Sequence, residues 1–265
     1  MKKTTIALTL FVLMCSLFIT SCTQPAKQKT LDRILADQTI VVGTTGEQFP
    51  FSFKDDEGKI TGIDISIANH LAKELGVDIK YKVMPFNQLI PSVINGDVDI
   101  VFSGVSITTE RNTKVVFPGA YYASGKSILT KDKKLSEGKK ELINSEDITL
   151  AVTKATTSVD FVETKYPKAK IVLVKNADDA VALLDDNKVD GVVADYETCE
   201  LLAYSYKESY LYFKNLSSAT EKEFLSPIVA ADDYLFINLI TNYINRINTV
   251  DKYEVIDLIW YEYLN

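Results

Sequence analysis

Residues 98–111, Val-Asp-Ile-Val-Phe-Ser-Gly-Val-Ser-Ile-Thr-Thr-Glu-Arg, join a short apolar run to a single guanidinium. Ile100, Val101 and Phe102 have the character of a buried strand, which breaks at Ser103 and Gly104 into small and hydroxyl residues, Ser106 among them, and ends at Arg111. In parallel α/β sheets ligands collect beyond the carboxyl ends of strands, where loops present polar groups on a rigid base. An Arg delivered there suits an anion, because its planar fork grips a carboxylate through two parallel charge-assisted hydrogen bonds. The same residue also fits a surface pair with Glu110 or a helix end. Three further loops carry comparable chemistry. Residues 44–49 hold Glu47 and Gln48; residues 154–158, Lys-Ala-Thr-Thr-Ser, place Thr156 and backbone N–H groups at a helix start, where an anion or a simple cap is equally served. Asp195 closes an apolar strand, with Glu197 and Glu200 just beyond it, and no Lys or Arg follows until Lys207. A helix cap is the other role open to Asp195.

Other chemistries lack parts. The single His, His70, sits among Ile67, Leu71 and Ala72 on a helical pattern and reads as a partly exposed helix residue. With one His and no Cys cluster, neither a zinc site nor a Ser-His-Asp triad can be assembled, and no cofactor or metal is expected.

The elements that must position these loops alternate. A strand over 39–42, a hairpin around the Asp-Asp-Glu-Gly turn, an amphipathic helix from Ile63 through Ile67 and Leu71 to Leu75 closed by Gly76, a strand over 77–83, a short helix over 86–94 and the strand at 100–102 make one α/β unit with a mainly parallel sheet. After a charged, loop-like segment at 131–144 a second unit follows: strand 148–152, helix 158–166, strand 171–174, helix 177–184, strand 189–194. The units echo each other, Asn-Gly-Asp-Val-Asp-Ile-Val-Phe at 95–102 against Asp-Asn-Lys-Val-Asp-Gly-Val-Val at 186–193, so that Gly104 corresponds to Asp195. Residues 224–231 read as a return crossing, followed by two apolar helices that complete the first unit. The expected lobes are 31–127 with 227–265, and 128–226, joined by a two-strand hinge that permits closure on a ligand.

The ends bound the compartment. Met-Lys-Lys, an apolar run over 6–19 and Ile-Thr-Ser before Cys22 describe an export signal over 1–21, too short for a stable membrane span. Residues 22–30 then form a polar tether. Cys15 leaves with the signal, so beyond Cys22 only Cys199 remains and no internal disulfide is available. Removing 1–21 takes two of the 29 basic residues and none of the 36 acidic ones, moving the net charge from −7 to −9, which argues against nucleic acid as a partner.

Several motifs carry a family resemblance. Cys22 directly after a small residue resembles the bacterial lipobox, which implies an acylated, palmitate-type lipoprotein held at the membrane on the extracytoplasmic side. Gly-Ile-Asp-Ile at 62–65, Ser-Ile-Thr-Thr-Glu-Arg at 106–111 and the loops at 154–158 and 195 resemble the extracytoplasmic solute-binding proteins for polar amino acids, over about residues 31–263. That resemblance implies a two-lobed, type II periplasmic-binding-protein-like α/β fold, a monomer, an amino acid ligand and an ABC transporter permease as partner. It implies Arg111 as the α-carboxylate clamp, Thr156 beside it, Asp195 for the α-ammonium, and Phe86 as an aromatic wall; Ser103, Gly104 and Ser106 belong to the clamp loop. The family's usual Gly is replaced by Ala155, and Gln48 stands where many relatives have an aromatic residue; Glu47 is a candidate for a basic ligand side chain. Leu-Asp-Arg-Ile at 31–34 and Val-Gly-Thr-Thr-Gly-Glu at 42–47 also resemble cyclohexadienyl dehydratases of the same superfamily, for which Glu197 is the candidate general acid.

Overall fold

The computed structural model describes residues 29–55, 57–206 and 211–249. The export signal, Cys22, most of the tether and the second C-terminal helix expected around 253–263 lie outside the described residues. The first lobe opens with a helix that the sequence reading did not include, α1 (Thr30–Asp37), which buries Ile34. It continues through β1 (Thr39–Thr44), the small antiparallel strands β2 (Glu47–Gln48), β3 (Ser52–Lys54) and β4 (Ile60–Thr61), then α2 (Ile63–Leu75), β5 (Asp78–Val83), α3 (Phe86–Asn95), β6 (Ile100–Val101) and the single-turn α4 (Thr109–Asn112). The strand β1 extends past Gly43 because β5 pairs with it in parallel through Thr44 and Val83. On α2, Ile63, Ile67 and Leu71 lie one turn apart and are fully buried, and Gly76 closes the helix in the left-handed conformation, φ 67°.

The chain crosses on β7 (Tyr122–Ser124) and builds the second lobe from β8 (Lys126–Thr130), α5 (Lys140–Ile143), β9 (Thr149–Thr153), α6 (Thr157–Lys165), β10 (Lys170–Val174), α7 (Ala177–Asp185), β11 (Gly191–Asp195), α8 (Tyr196–Ser205) and β12 (Tyr212–Asn215). The five strands run β10-β9-β11-β8-β12; the first three are parallel, and β8 lies antiparallel between β11 and β12. The return segment divides in two. Strand β13 (Glu223–Leu225) pairs with β7 to make a two-stranded connector, and β14 (Ile228–Val229) joins β6 at the edge of the first sheet, β14-β6-β1-β5.

Helix α9 (Tyr234–Thr249) then returns to the first lobe, where Phe236, Ile240, Ile244 and Ile247 pack with Ile34, Ile40, Ile67 and Ile100. Each such side chain contributes about 1.5–3 kcal/mol on burial, which anchors the C-terminal helix to the sheet far from it in sequence. Leu89, Val93, Val101 and Ile228 fill the opposite face, and the second sheet likewise carries a core on either side. His70 on α2 is partly exposed and meets the Tyr243 hydroxyl at 3.0 Å.

The internal echo corresponds to a repeated set of bonds. Asp99 N–H donates to the Val41 carbonyl at 2.8 Å while Val41 N–H donates to Asp99 Oδ2 at 2.7 Å. In the second lobe Asp190 N–H donates to the Thr149 carbonyl at 2.8 Å, and Thr149 N–H to Asp190 Oδ2 at 2.7 Å. The Asp of each Val-Asp pair thus splices the last parallel strand of its unit onto the first.

Candidate functional site

The strand-end loops of the two lobes face each other across a cavity of about 540 Å³. Thr45, Glu47, Gln48 and the segment 83–88 line it from the first lobe; Thr153, Lys154, Thr156, Ser158, residues 175–177, Asp195 and Thr198 line it from the second. Phe86, Gln48, Glu47, Thr156 and Asp195 are thereby brought together, as the sequence suggested. Phe86 forms a wall without an opposing ring, since Gln48 points its amide toward Asp195 Oδ2 at 3.5 Å.

Arg111 stands beside the cavity and joins the lobes. Its fork donates to the Ser106 carbonyl at 2.9 Å in its own loop and to the Ala155 carbonyl at 3.1 Å in the second lobe, and its guanidinium carbon lies 5.4 Å from the centre of the Phe86 ring. Thr108 caps α4 by accepting the Arg111 N–H, which holds the Arg at the end of its loop. Burial pulls the guanidinium below its ordinary pKa against the attraction of Glu223, Asp160, Asp195 and Glu110, yet an Arg remains charged. Two of its five N–H groups serve backbone carbonyls, and Arg111 itself does not line the cavity. Ala155 adopts φ 63°, the left-handed conformation that the family's Gly takes freely, and Thr156 Oγ1 donates back to the Thr153 carbonyl at 2.7 Å, leaving the N-terminus of α6 without a side-chain cap.

The reading of Asp195 by its local sequence missed its partner. Lys126, 69 residues away, lies opposite Asp195 in the antiparallel register of β8 and β11 and donates to Oδ1 at 2.5 Å. Its side chain is only 2% exposed and also pairs with Glu223 Oε2 at 3.1 Å. Burial opposes the charge on Lys126, but the two carboxylates outweigh it and raise its pKa; Glu223, also opposed by burial, is held below the usual carboxylate range by Lys126 and by the hydroxyls of Ser106 and Thr157, each 2.6 Å away. Glu223 therefore ties Ser106 of the first lobe to Thr157 of the second from the connector between them. The only sequence signal for this network was a lysine set between Gly125 and an apolar strand.

Ser103, Gly104 and Ser106, which the sequence reading included in the site, do not line the cavity. Ser103 Oγ accepts the Thr45 N–H at 3.1 Å and meets the Thr45 hydroxyl at 3.0 Å, bracing two strand ends together. Gly104 has φ 53°, a left-handed conformation that calls for glycine, and the Gln48 amide packs where a Cβ would stand. The Gly104 N–H donates to Asp64 Oδ2 at 2.6 Å. Asp64 is fully buried, and burial pushes its pKa up to about 7 despite the hydrogen bond from the Gly104 N–H. Glu197 does not line the main cavity. Its carboxyl, raised by burial against a hydrogen bond from Ser124, faces the connector and a smaller cavity of about 320 Å³. One residue further along α8, Thr198 is the side chain that reaches the cleft.

A family model for bacterial extracellular solute-binding proteins, family 3, matches residues 40–263. Among curated proteins the chain is 28% identical over 184 residues to cyclohexadienyl dehydratase of Pseudomonas aeruginosa, covering 69% of each chain. It is 30% identical over 174 residues to an ABC transporter glutamine-binding protein of Bacillus subtilis, covering 64% of this chain and 63% of that one. Among solved structures, an ancestral amino acid-binding protein described as a precursor of cyclohexadienyl dehydratase superposes with a TM-score of 0.78 at 31% identity, over 90% of this chain and all of that one. Two sheets with facing strand ends, a paired connector and a family match across most of the sequence agree: the chain belongs to the bacterial extracellular solute-binding proteins, family 3.

Proposed function

We propose that this chain is the lipid-anchored substrate-binding protein of an amino acid ABC importer, and that it closes its two lobes on an amino acid zwitterion. The observation that carries the reading is Arg111: a first-lobe guanidinium that already donates to a second-lobe carbonyl, beside an uncapped helix start. A zwitterion buried between lobes needs a cation for its carboxylate and an anion for its ammonium, or desolvation exceeds the attraction. Arg111 and the N-terminus of α6 serve the carboxylate. Asp195 Oδ2, the oxygen turned toward Gln48 while Oδ1 is held by Lys126, serves the ammonium. Clamp groups from both lobes make the ligand a bridge, so binding favours the closed form. The lobes are taken as 31–127 with 227–265, and 128–226, with the first boundary moved to precede β8 so that Lys126 and Ser127 go with the second sheet, and the chain as a monomer that delivers cargo to a permease. Anchoring rests on the lipobox at Cys22; Cys22→Ser should abolish incorporation of labelled palmitate, and undiminished labelling would refute it.

The test is thermal denaturation of the full chain in mild detergent against the amino acids, prephenate and arogenate. A ligand at about a thousand times its Kd adds roughly 4 kcal/mol, which moves the midpoint by several degrees. Arg111→Ala should remove the shift, and an unchanged shift would sink the clamp role. The second reading, a dehydratase, is favoured by the Pseudomonas relative. It requires a general acid in the cleft, and the orientation of Glu197 toward Ser124 weighs against it. Conversion of prephenate to phenylpyruvate in the same assay would establish it instead.

A further inference from the structure

The cavity wall is unevenly charged. Its first-lobe face is the apolar run 83–86 with Thr45, Gln48 and one acid, Glu47, which is exposed. Its second-lobe face carries two lysines, Lys154 and Lys175, each one step beyond the paired residues Thr153 and Val174 at the carboxyl ends of the parallel strands β9 and β10. Lys154 N–H donates to the Val174 carbonyl at 3.0 Å, which sets the two positions side by side. The other acid of the wall, Asp195, is assigned to the ligand's α-ammonium, and the buried Lys126 behind it is shared with Glu223. With Asp195 taken by the ammonium, two exposed lysines stand against one exposed glutamate for the ligand's side chain. The N-termini of α6 and α7 add partial positive charge, moderated by Asp160 on the first turn of α6 and by Asp178 and Asp179 on that of α7, none of which lines the cavity. A basic ligand side chain would meet like charge with only Glu47 to answer it. A carboxylate would be drawn by both ammonium groups.

We propose that Lys154 and Lys175 determine specificity by receiving a second carboxylate, so that the cargo is an acidic amino acid. This deepens, and rests on, the reading of the chain as an amino acid receptor in which Arg111 takes the α-carboxylate. Calorimetric titration of the full chain in mild detergent with L-aspartate, L-glutamate, L-asparagine, L-glutamine, L-arginine and L-lysine tests it. An acidic amino acid should bind at least about tenfold more tightly than its amide or either basic ligand, and this preference should shrink as salt rises from about 20 to about 300 mM, since partly exposed charges are screened. The double variant K154Q/K175Q should lose at least about tenfold in affinity for the acid and bring acid and amide within about threefold. Tightest binding of an amide or a basic amino acid would overturn the acidic class while leaving the receptor reading intact. Binding of none of the amino acids tested would overturn both. An acid preference untouched in K154Q/K175Q would overturn the assignment to these lysines. Circular dichroism reports whether that variant folds; should it not, the ligand ranking and salt series on the unaltered chain decide.

Discussion

In the first lobe the strand β6 runs out to Gly104, whose N–H donates into the buried carboxyl of Asp64; in the second, β11 ends in Asp195, whose carboxylate meets Lys126 across the sheet. Around this difference the backbones match. Asp99 and Asp190 make the same pair of bonds to their neighbouring strands, and two residues beyond β1 and β9, Gly46 and Ala155 share a left-handed conformation, φ 64° and 63°. The matching strand ends therefore differ: one offers a backbone N–H to a carboxyl on α2, and the other carries a carboxyl of its own. Asp64 is turned inward and pushed toward its protonated form by burial; Asp195 faces the cleft and is ion-paired with the buried Lys126. The repeated backbone thus carries glycine at the position where the other lobe carries Asp195, and the carboxyl that meets this glycine comes from a helix instead.

The sharpest way to separate the two carboxyls is pH. Asp64 keeps its proton in the folded chain up to about pH 7, whereas the unfolded chain loses it near 4. The native state binds more protons in that window, so this contribution to stability is full at pH 4 and falls as pH rises to 7, by up to about 4 kcal/mol. Urea denaturation at pH 4.5 and 7.5 should show the slope. Asp64→Asn should flatten it and gain stability at pH 7.5, since an amide oxygen still accepts the Gly104 N–H. A slope unchanged by this variant would remove Asp64 from the account.

In the second lobe the decisive cut is Lys126→Met. It leaves Asp195 and Glu223 without their buried cation and should cost about 3 kcal/mol, the low end for breaking a buried pair because both carboxylates keep some contact with solvent. Calorimetry should register a midpoint lower by about 6–12 °C.

The shared splice can be cut in both lobes. Asp99→Ala removes a buried acceptor that also pairs with Arg33 and should cost about 2 kcal/mol; Asp190→Ala, at an exposed carboxylate, should cost under about 1 kcal/mol. Equal losses in chemical denaturation would mean that burial is not what distinguishes them.

The smallest effects should have opposite signs. Gly46→Ala imposes on a side chain the conformation that Ala155 already bears and should lower the thermal midpoint by about 1 kcal/mol equivalent. Ala155→Gly relieves it and should gain a few tenths to about 1 kcal/mol, the entropy of the unfolded chain offsetting part of the relief.

What the sequence by itself determined follows from short-range rules. Ile63, Ile67 and Leu71 at helical spacing, Gly76 and Gly96 as left-handed stops, and alternating or continuous apolar runs were enough to locate the elements, because each depends on neighbours within a turn or a strand. The Val-Asp echo was legible for the same reason. Gln48, Thr156 and Asp195 sit on loops that could be singled out because loops after consecutive parallel strands must emerge at one edge of a sheet, whereas Phe86 was named only through the family resemblance. Only the tertiary structure decided which charges meet. Lys126 reaches Asp195 through the register of an antiparallel pair, Glu223 arrives on a returning connector, and α1 forms against strands whose apolar faces it covers. The direction of Glu197, toward Ser124 rather than the cleft, was set in the same way by the roll of α8 against the connector. Such pairings follow from the packing of segments far apart in the chain, and no local pattern of residue types encodes them.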